Sequence, residues 1–320
     1  MRTAALDGVS LLVTGRRLDA KERPRIQGAL RLSGFRSTLK HAVLGMLAGG
    51  QERQAETFLV APALDGALRL ALAADDSGVS LEILASGMYE PQLVAFYRRT
   101  LRPGMTVLDA GANIGFHALH AALLVGPEGR VVAVEPDPRN VSLIRASLAL
   151  AQGPLRVEVI EAALSDTGGT VVLSDLGNHA NSGARFTHTD RGVLARLVHG
   201  PAPSYCEVRS FRWDDERLDT RIDLVKIDVE GYEPFVLRGM EGSLLRHRPI
   251  VVAEFAPSNL RAIGGVEPGA FLSWMRDRGY SAAVLEEDGR ETPAGAPDAI
   301  VSRLGARHHL DLVYTPTGTR

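Results

Sequence analysis

The sequence predicts an α/β protein: a mostly parallel sheet with helices on both faces, an antiparallel C-terminal edge and an N-terminal helical and β extension. Three observations predict it. From residue 106 onward, short and nearly continuous apolar runs alternate with helical stretches, the pattern of strands buried on both faces. The first of these runs ends in an acid and a glycine turn, "VLDAGANIGF", which leads straight into a helix. The last two strand patterns, "YSAAVLEE" and "LDLVYTP", are joined by a loop, as an antiparallel edge pair is.

Taken in order, residues 1–55 read as a basic helical arm, with Phe35, Leu39, Val43 and Leu47 at four-residue spacing. The arm ends at "GGQERQ". Residues 56–100 form a lead-in: short strands from 58 to 84 with turns at Asp65-Gly66 and Asp75–Gly78, then a helix over 91–99. The core, 101–320, opens with the strand "TVLDAG" and a helix over 114–124. The strand "RVVAVEP" and a helix over 138–151 follow. "RVEVIEAAL" and "GTVVLSD" read as strands, and an irregular insertion fills 176–205. "CEVRSF" and "DLVKIDVEG" are strands, 233–246 is a helix, "PIVVAEF" is a buried strand, and 268–278 is a helix before the final pair.

Totals exclude several classes. The 320 residues are 45% apolar and 23% charged, ordinary globular values. A single cysteine, Cys206, allows neither an intramolecular disulfide nor a CxxC zinc site, which favours a reducing cytoplasm. The N-terminal apolar run is broken by Asp7 and Gly8, so it makes a poor signal peptide. No stretch reaches the roughly 18 apolar residues of a membrane span. Aromatics are only 5%, and the body is acidic, which disfavours nucleic-acid binding. Net charge is −2, but residues 1–50 hold nine Lys/Arg against three acids, leaving −8 for the remainder. Such an arm suits an anionic or carrier-bound acceptor, or simply docks on the acidic body.

In open α/β sheets ligands bind beyond the carboxyl ends of the strands, where the strand order reverses. At the first strand end, Asp109, Gly111, Asn113 and Gly115 make a tight turn before a helix N-terminus. Asp109 would repel a pyrophosphate and suits a ligand with a positive amine, met directly or through water. The turn also lacks the middle glycine of dinucleotide enzymes. At the second, Glu135 ends a strand twenty residues after Gly115, placed to accept the ribose hydroxyls of an adenosine, beside Pro136. Asp137 and Pro138 read as a helix cap and first helical residue. An adenosine ligand with no pyrophosphate and with a charged amino-acid part fits S-adenosylmethionine. Ala163, at a third strand end, leaves room for a flat ring. Asp166 there faces an adenine amine or caps a turn. At the fourth, Asp228 and Glu230 share one side of a strand end with Lys226, either as an internal ion pair or as carboxylates facing the cleft. Glu254 ends the next strand.

"VLDAGANIGF", "RVVAVEPDPRN", "EAALSD" and "DLVKIDVEGYEPFVLRGM", in this order, resemble the FkbM family of S-adenosylmethionine-dependent methyltransferases. The resemblance covers about 104–254, with looser similarity back to "SGMYEP". Trp213 stands where the family usually shows leucine. The resemblance implies a class I methyltransferase (Rossmann-like) fold and methylation of a hydroxyl on a sugar, glycolipid or secondary metabolite. It implies cofactor contacts from Asp109, Gly111, Asn113 and Glu135, with Asp228 and Glu230 near the reacting centre.

An alcohol is a weak nucleophile, so a base is expected to take its proton. Asp228 and Glu230 are the first candidates, and His117 and His179 are next, although lone histidines are more often structural. Asp228, Glu230 and Glu254 are also hard ligands for a divalent cation, but Lys226 competes as their counter-charge. Tyr89 and Glu90, in "GMYEP", either close over the cofactor or start a helix. The 176–205 insertion is expected to shape the acceptor pocket as a lid. Amine methylation and cofactor binding without chemistry are the alternatives.

Overall fold

The computed structural model describes residues 58–175, 185–188, 205–305 and 307–318. The basic arm and most of the 176–205 insertion lie outside the described residues. The chain opens with a hairpin, β1 (Phe58–Ala63) and β2 (Leu68–Ala73), then two helices, α1 (Val79–Ser86) and α2 (Pro91–Thr100). The alternating core follows: β3 (Thr106–Ala110), α3 (Phe116–Val125), β4 (Arg130–Glu135), α4 (Pro138–Ala149) and β5 (Val157–Glu161). Next come β6 (Ala163–Leu164), β7 (Gly169–Ser174), β8 (Phe186–His188), β9 (Tyr205–Phe211) and the short α5 (Trp213–Arg217). The core resumes with β10 (Leu224–Ile227), α6 (Glu233–Gly239), α7 (Glu241–His247), β11 (Ile250–Phe255), α8 (Pro257–Ala262) and α9 (Pro268–Asp277). It closes with β12 (Tyr280–Leu285), β13 (Glu291–Pro293), α10 (Pro297–Arg303) and β14 (Leu310–Pro316).

The main sheet has eight strands in the order β13-β12-β14-β11-β10-β3-β4-β5. β11, β10, β3, β4 and β5 run parallel, while β14, β12 and β13 pair antiparallel, so the expected antiparallel edge is present. Strand order reverses between β3 and β10, since the chain moves from β3 toward β5 and then returns to β10. Both faces of the sheet are buried, and alternate residues serve opposite cores. Val107, Val131 and Ala133 join the cluster under the hairpin, α2, α3 and α4. Leu108, Ala110, Val132 and Val134 join the cluster under α6, α7 and α9. That double burial is why these strands read as continuous apolar runs.

Three expectations need correction. "GVSLEIL" alternates like a strand but forms α1. The Asp76 carboxylate accepts from the backbone N–H groups of Gly78 (2.9 Å) and Ser80 (2.8 Å), so the turn starts a helix. The helix expected over 233–246 is two helices broken at Met240. Finally, β6, β9, β7 and β8 leave the main sheet and form a second, four-stranded one, with β7 antiparallel to both neighbours.

Candidate functional site

A cavity of about 270 Å3 opens at the carboxyl ends of β3, β4 and β10, the switch point of the sheet. Its floor is set by register. Lys226 of β10 sits opposite Asp109 of β3, and the backbone turns that follow each strand pass close together. Gly111 has φ of 80°, and a Cβ there would lie 1.9 Å from the Asp228 carbonyl oxygen. Only glycine fits this crossing.

The Lys226 ammonium lies 3.3 Å from Asp109 Oδ1 and 3.3 Å from Asp228 Oδ2, and donates to the Gly111 carbonyl at 3.1 Å. Burial alone would lower its pKa, but Asp109, Asp228 and Glu90 hold it well above the ordinary lysine value. Asp109 is wholly buried and is not on the cavity wall; Lys226 is. The expectation that Asp109 meets a cationic ligand directly is therefore corrected. The charge that this acid answers is Lys226, and Asp109 supports the cavity floor from behind.

On the β4 side, Glu135 lines the cavity as expected, with Pro136. Its Oε2 accepts from the Asn113 backbone N–H (2.8 Å). Its Oε1 accepts from the Asp137 N–H (3.0 Å) and Asn140 Nδ2 (3.2 Å). Burial still pushes the carboxyl up to about 7. Three donors fix the carboxyl rigidly and leave lone-pair capacity for a ligand hydroxyl. Asp137 caps α4 through the Arg139 N–H, so the capping reading of this segment holds for Asp137. Gly115 is off the wall: a Cβ there would meet Ile144 at 2.9 Å, so this glycine serves the packing of α3 on α4.

Across the cleft, Asp228 and Glu230 both line the cavity. Glu230 Oε2 accepts from Asn259 Nδ2 at 3.1 Å, and burial, with Asp228 and Glu233 nearby, pushes its carboxyl up to about 8. Tyr89, Glu90 and His117 form a third wall. His117 Nε2 is 2.8 Å from Glu90 Oε2, and the Tyr89 ring lies 5.8 Å from the imidazole. Burial pushes His117 down to about 4, and burial with Asp228 pushes Glu90 up to about 7. Glu90, Asn113 and Glu230 all hold positive φ, at 44°, 50° and 54°. Such backbone costs on the order of 1–3 kcal/mol per residue and gathers at functional sites.

Ala163 is not part of this site; it is buried in β6, paired with Ser210. Asp166 pairs with Arg238 at 2.9 Å instead of facing the cleft. His179 lies outside the described residues. Among the described residues, no group of three or more His, Cys, Asp or Glu is arranged to hold a metal ion. Sequence reasoning missed Asn140, Arg185, Asn259 and His309, all on the cavity wall. Asn140 follows Glu135 in the quoted "EPDPRN", and its reach back from the first turn of α4 was the available signal. Arg185 was hidden inside the insertion. Its Nε lies 3.3 Å from Asp137 Oδ2, which ties the second sheet to the β4 end. Asn259 and His309 carry no local motif.

The family described as "Methyltransferase FkbM domain" matches residues 109–282, just over half of the chain. Methyltransferase sdnD of Sordaria araneosa is 28% identical over 179 residues, covering 48% of this chain and 68% of that protein. A protein-L-isoaspartate O-methyltransferase of Methanothrix thermoacetophila is 46% identical over 52 residues, 16% of this chain and 25% of that one. The crystal structure of methyltransferase FkbM from Methylobacillus flagellatus overlaps 92% of this chain and 59% of that chain, with TM-score 0.40 and 14% identity. The chain therefore spans less than two thirds of the last two relatives.

Proposed function

Because the chain belongs to the FkbM family of S-adenosylmethionine-dependent methyltransferases, we propose that it methylates a hydroxyl of a sugar, glycolipid or secondary metabolite. One observation carries this reading. Four carboxyl groups, Glu90, Asp228, Glu230 and Glu254, converge on the cavity that the glycine turn and Glu135 also line. A hydroxyl must lose a proton as it is methylated, and such walls can take it.

The residues fit the cofactor. Gly111, Asn113 and Glu135 line one end of the cavity, and three donors hold the Glu135 carboxyl with lone-pair capacity left for a diol. When bound, S-adenosylmethionine supplies a methyl group activated by its sulfonium. The protein's share is orientation: Glu135 and Asn113 fix one end of the cavity. Lys226 and Asp228 fix the floor, and the Glu90 and Glu230 walls place the acceptor oxygen.

Calorimetry should show micromolar-range binding of S-adenosylmethionine and S-adenosylhomocysteine, weaker binding of NAD, and at least a tenfold loss in Glu135→Ala. Methyl-labelled cofactor is then offered with methyl α-D-glucopyranoside, glucosamine and a flavonol, and mass spectrometry locates the label. Label on hydroxyl oxygen supports the reading. Label only on the glucosamine nitrogen replaces it with amine methylation, and absent cofactor binding removes it.

A further inference from the structure

The hydroxyl-methylation reading requires a base, and each of the acids Glu90, Asp228 and Glu230 on the cavity wall has one oxygen already held. Asp228 is ion-paired to Lys226, and Glu230 is held by the Asn259 amide. Glu90 differs in its setting. It stands at the N-cap of α2, where a side-chain oxygen ordinarily accepts from the helix's own N–H groups. Its carboxylate makes no such cap, and its backbone is left-handed. The side chain instead reaches His117 in the first turn of α3, 2.8 Å away, with both residues on the cavity wall. The "GMYEP" turn thus forgoes a cap and holds a strained backbone to aim this carboxylate inward.

We propose that Glu90 is the base that takes the acceptor's proton, and that His117 is the residue that positions its carboxylate. The proposal rests on the hydroxyl-methylation reading. His117 Nδ1 is buried without a hydrogen-bond partner among the described residues. A proton there would be unsatisfied, which places the imidazole proton on Nε2, donating to Glu90 Oε2. The second carboxylate oxygen is then left for the acceptor. In the transfer, an oxygen lone pair forms the O–CH3 bond and the S–CH3 bond breaks with its electrons going to sulfur. The O–H pair stays on oxygen, and the proton moves to Glu90. No oxidant or reductant enters.

The charged and titratable neighbours that set the pair's ionisation come from every element around it. They are Lys226 of β10, Asp228 and Glu230 in the turn after it, Glu82 of α1, Tyr89 beside Glu90, Tyr97 of α2, Asp109 of β3, His120 of α3, and His309 and Asp311 at β14. Burial and the acids among them raise Glu90 into the neutral range, and burial keeps His117 neutral. The base therefore gains its proton-accepting form as pH rises through about 7.

The test uses the full chain with the acceptor found above, and S-adenosylhomocysteine as the binding probe. Glu90→Gln should lower kcat by about 10²–10⁴-fold with KM little changed, and should erase the rise in rate toward neutral pH. His117→Ala should lower kcat and displace that rise, while His117→Gln, which keeps a donor near the Nε2 position, should restore much of it. Nitrogen-15 histidine NMR of the wild type bound to S-adenosylhomocysteine should show the His117 ring responding to one titration near neutrality, absent in Glu90→Gln. This arm needs no acceptor. An unchanged rate and pH limb in Glu90→Gln overturns the proposal, as does a His117 resonance indifferent to that substitution. Lost binding of S-adenosylhomocysteine by the wild type would instead count against the methyltransferase reading.

Discussion

Lys226 is one cation between two carboxylates, and its stabilising effect depends on all three staying charged. Removing the amine leaves Asp109 buried and uncompensated. Lys226→Met should therefore destabilise the chain by about 3–5 kcal/mol in urea unfolding. The double variant Asp109→Leu/Lys226→Met, which removes both buried charges at neighbouring register positions, should recover a large part of that loss. Equal destabilisation in the single and double variants would refute the pairing. The same residue scale shows what was legible in advance. Glu135 was readable because its distance from the glycine turn is a local spacing. Asp109 was readable as an acid at a strand end, but its partner was not. The cation it answers lies 117 residues away in sequence and is brought opposite by strand register alone.

At the scale of elements, the seating of α6 bears on the site, and the seating of the hairpin bears on stability alone. A Cβ on Gly239 would lie 1.9 Å from the Ser165 carbonyl oxygen, so α6 meets the β6 segment in direct backbone contact. Gly239→Ala should force the two apart and cost about 1–3 kcal/mol, visible as a lowered Tm. It should also weaken cofactor binding, because α6 follows directly on the 228–232 turn. At the hairpin, the Ala71 N–H donates to Ser147 Oγ at 2.8 Å, fully buried. Ser147→Ala leaves that donor unsatisfied and should cost about 1–3 kcal/mol with cofactor affinity unchanged. Elements with strong local signals were read correctly: the parallel strands, the helix starting at Pro91 and the final strand 310–316. α1 was misread because its apolar residues alternate, and the deciding signal was the Asp76 cap. The second sheet was misread because strand propensity does not say which sheet a strand joins.

At the scale of the whole molecule, the buried acids and histidines set opposing pH dependences. Burial raises Glu135 and Glu233 to about 7 and Glu230 to about 8, from an ordinary value of 4.5. The folded chain then holds protons that the unfolded chain has released. The stability these groups contribute is present below pH 4.5 and is lost as pH rises through 7 to 8. His117 and His120 are lowered by burial to about 4 and about 3, from 6.5. Their contribution is present above pH 6.5 and is lost as pH falls toward 3. Among these groups, only the carboxyls act between pH 6.5 and 8. The Tm of the ligand-free chain should fall across that interval, and Glu230→Gln should flatten the fall. A Tm that rises from pH 6.5 to 8 would contradict the burial assigned to these acids. Among the described residues, no helix is long and apolar enough to cross a membrane.

The sequence by itself determined the α/β class, the methyltransferase family and the turn that carries the switch point. Each is encoded locally, in apolar period, glycine position or a motif a few residues long. The tertiary structure alone decided that Lys226, not Asp109, faces the cavity. It alone brought Asn259, His309 and Arg185 to the wall, and it set Glu90 against His117. Those relations join residues far apart in the chain, and strand register and helix packing set their distances, which no local pattern records.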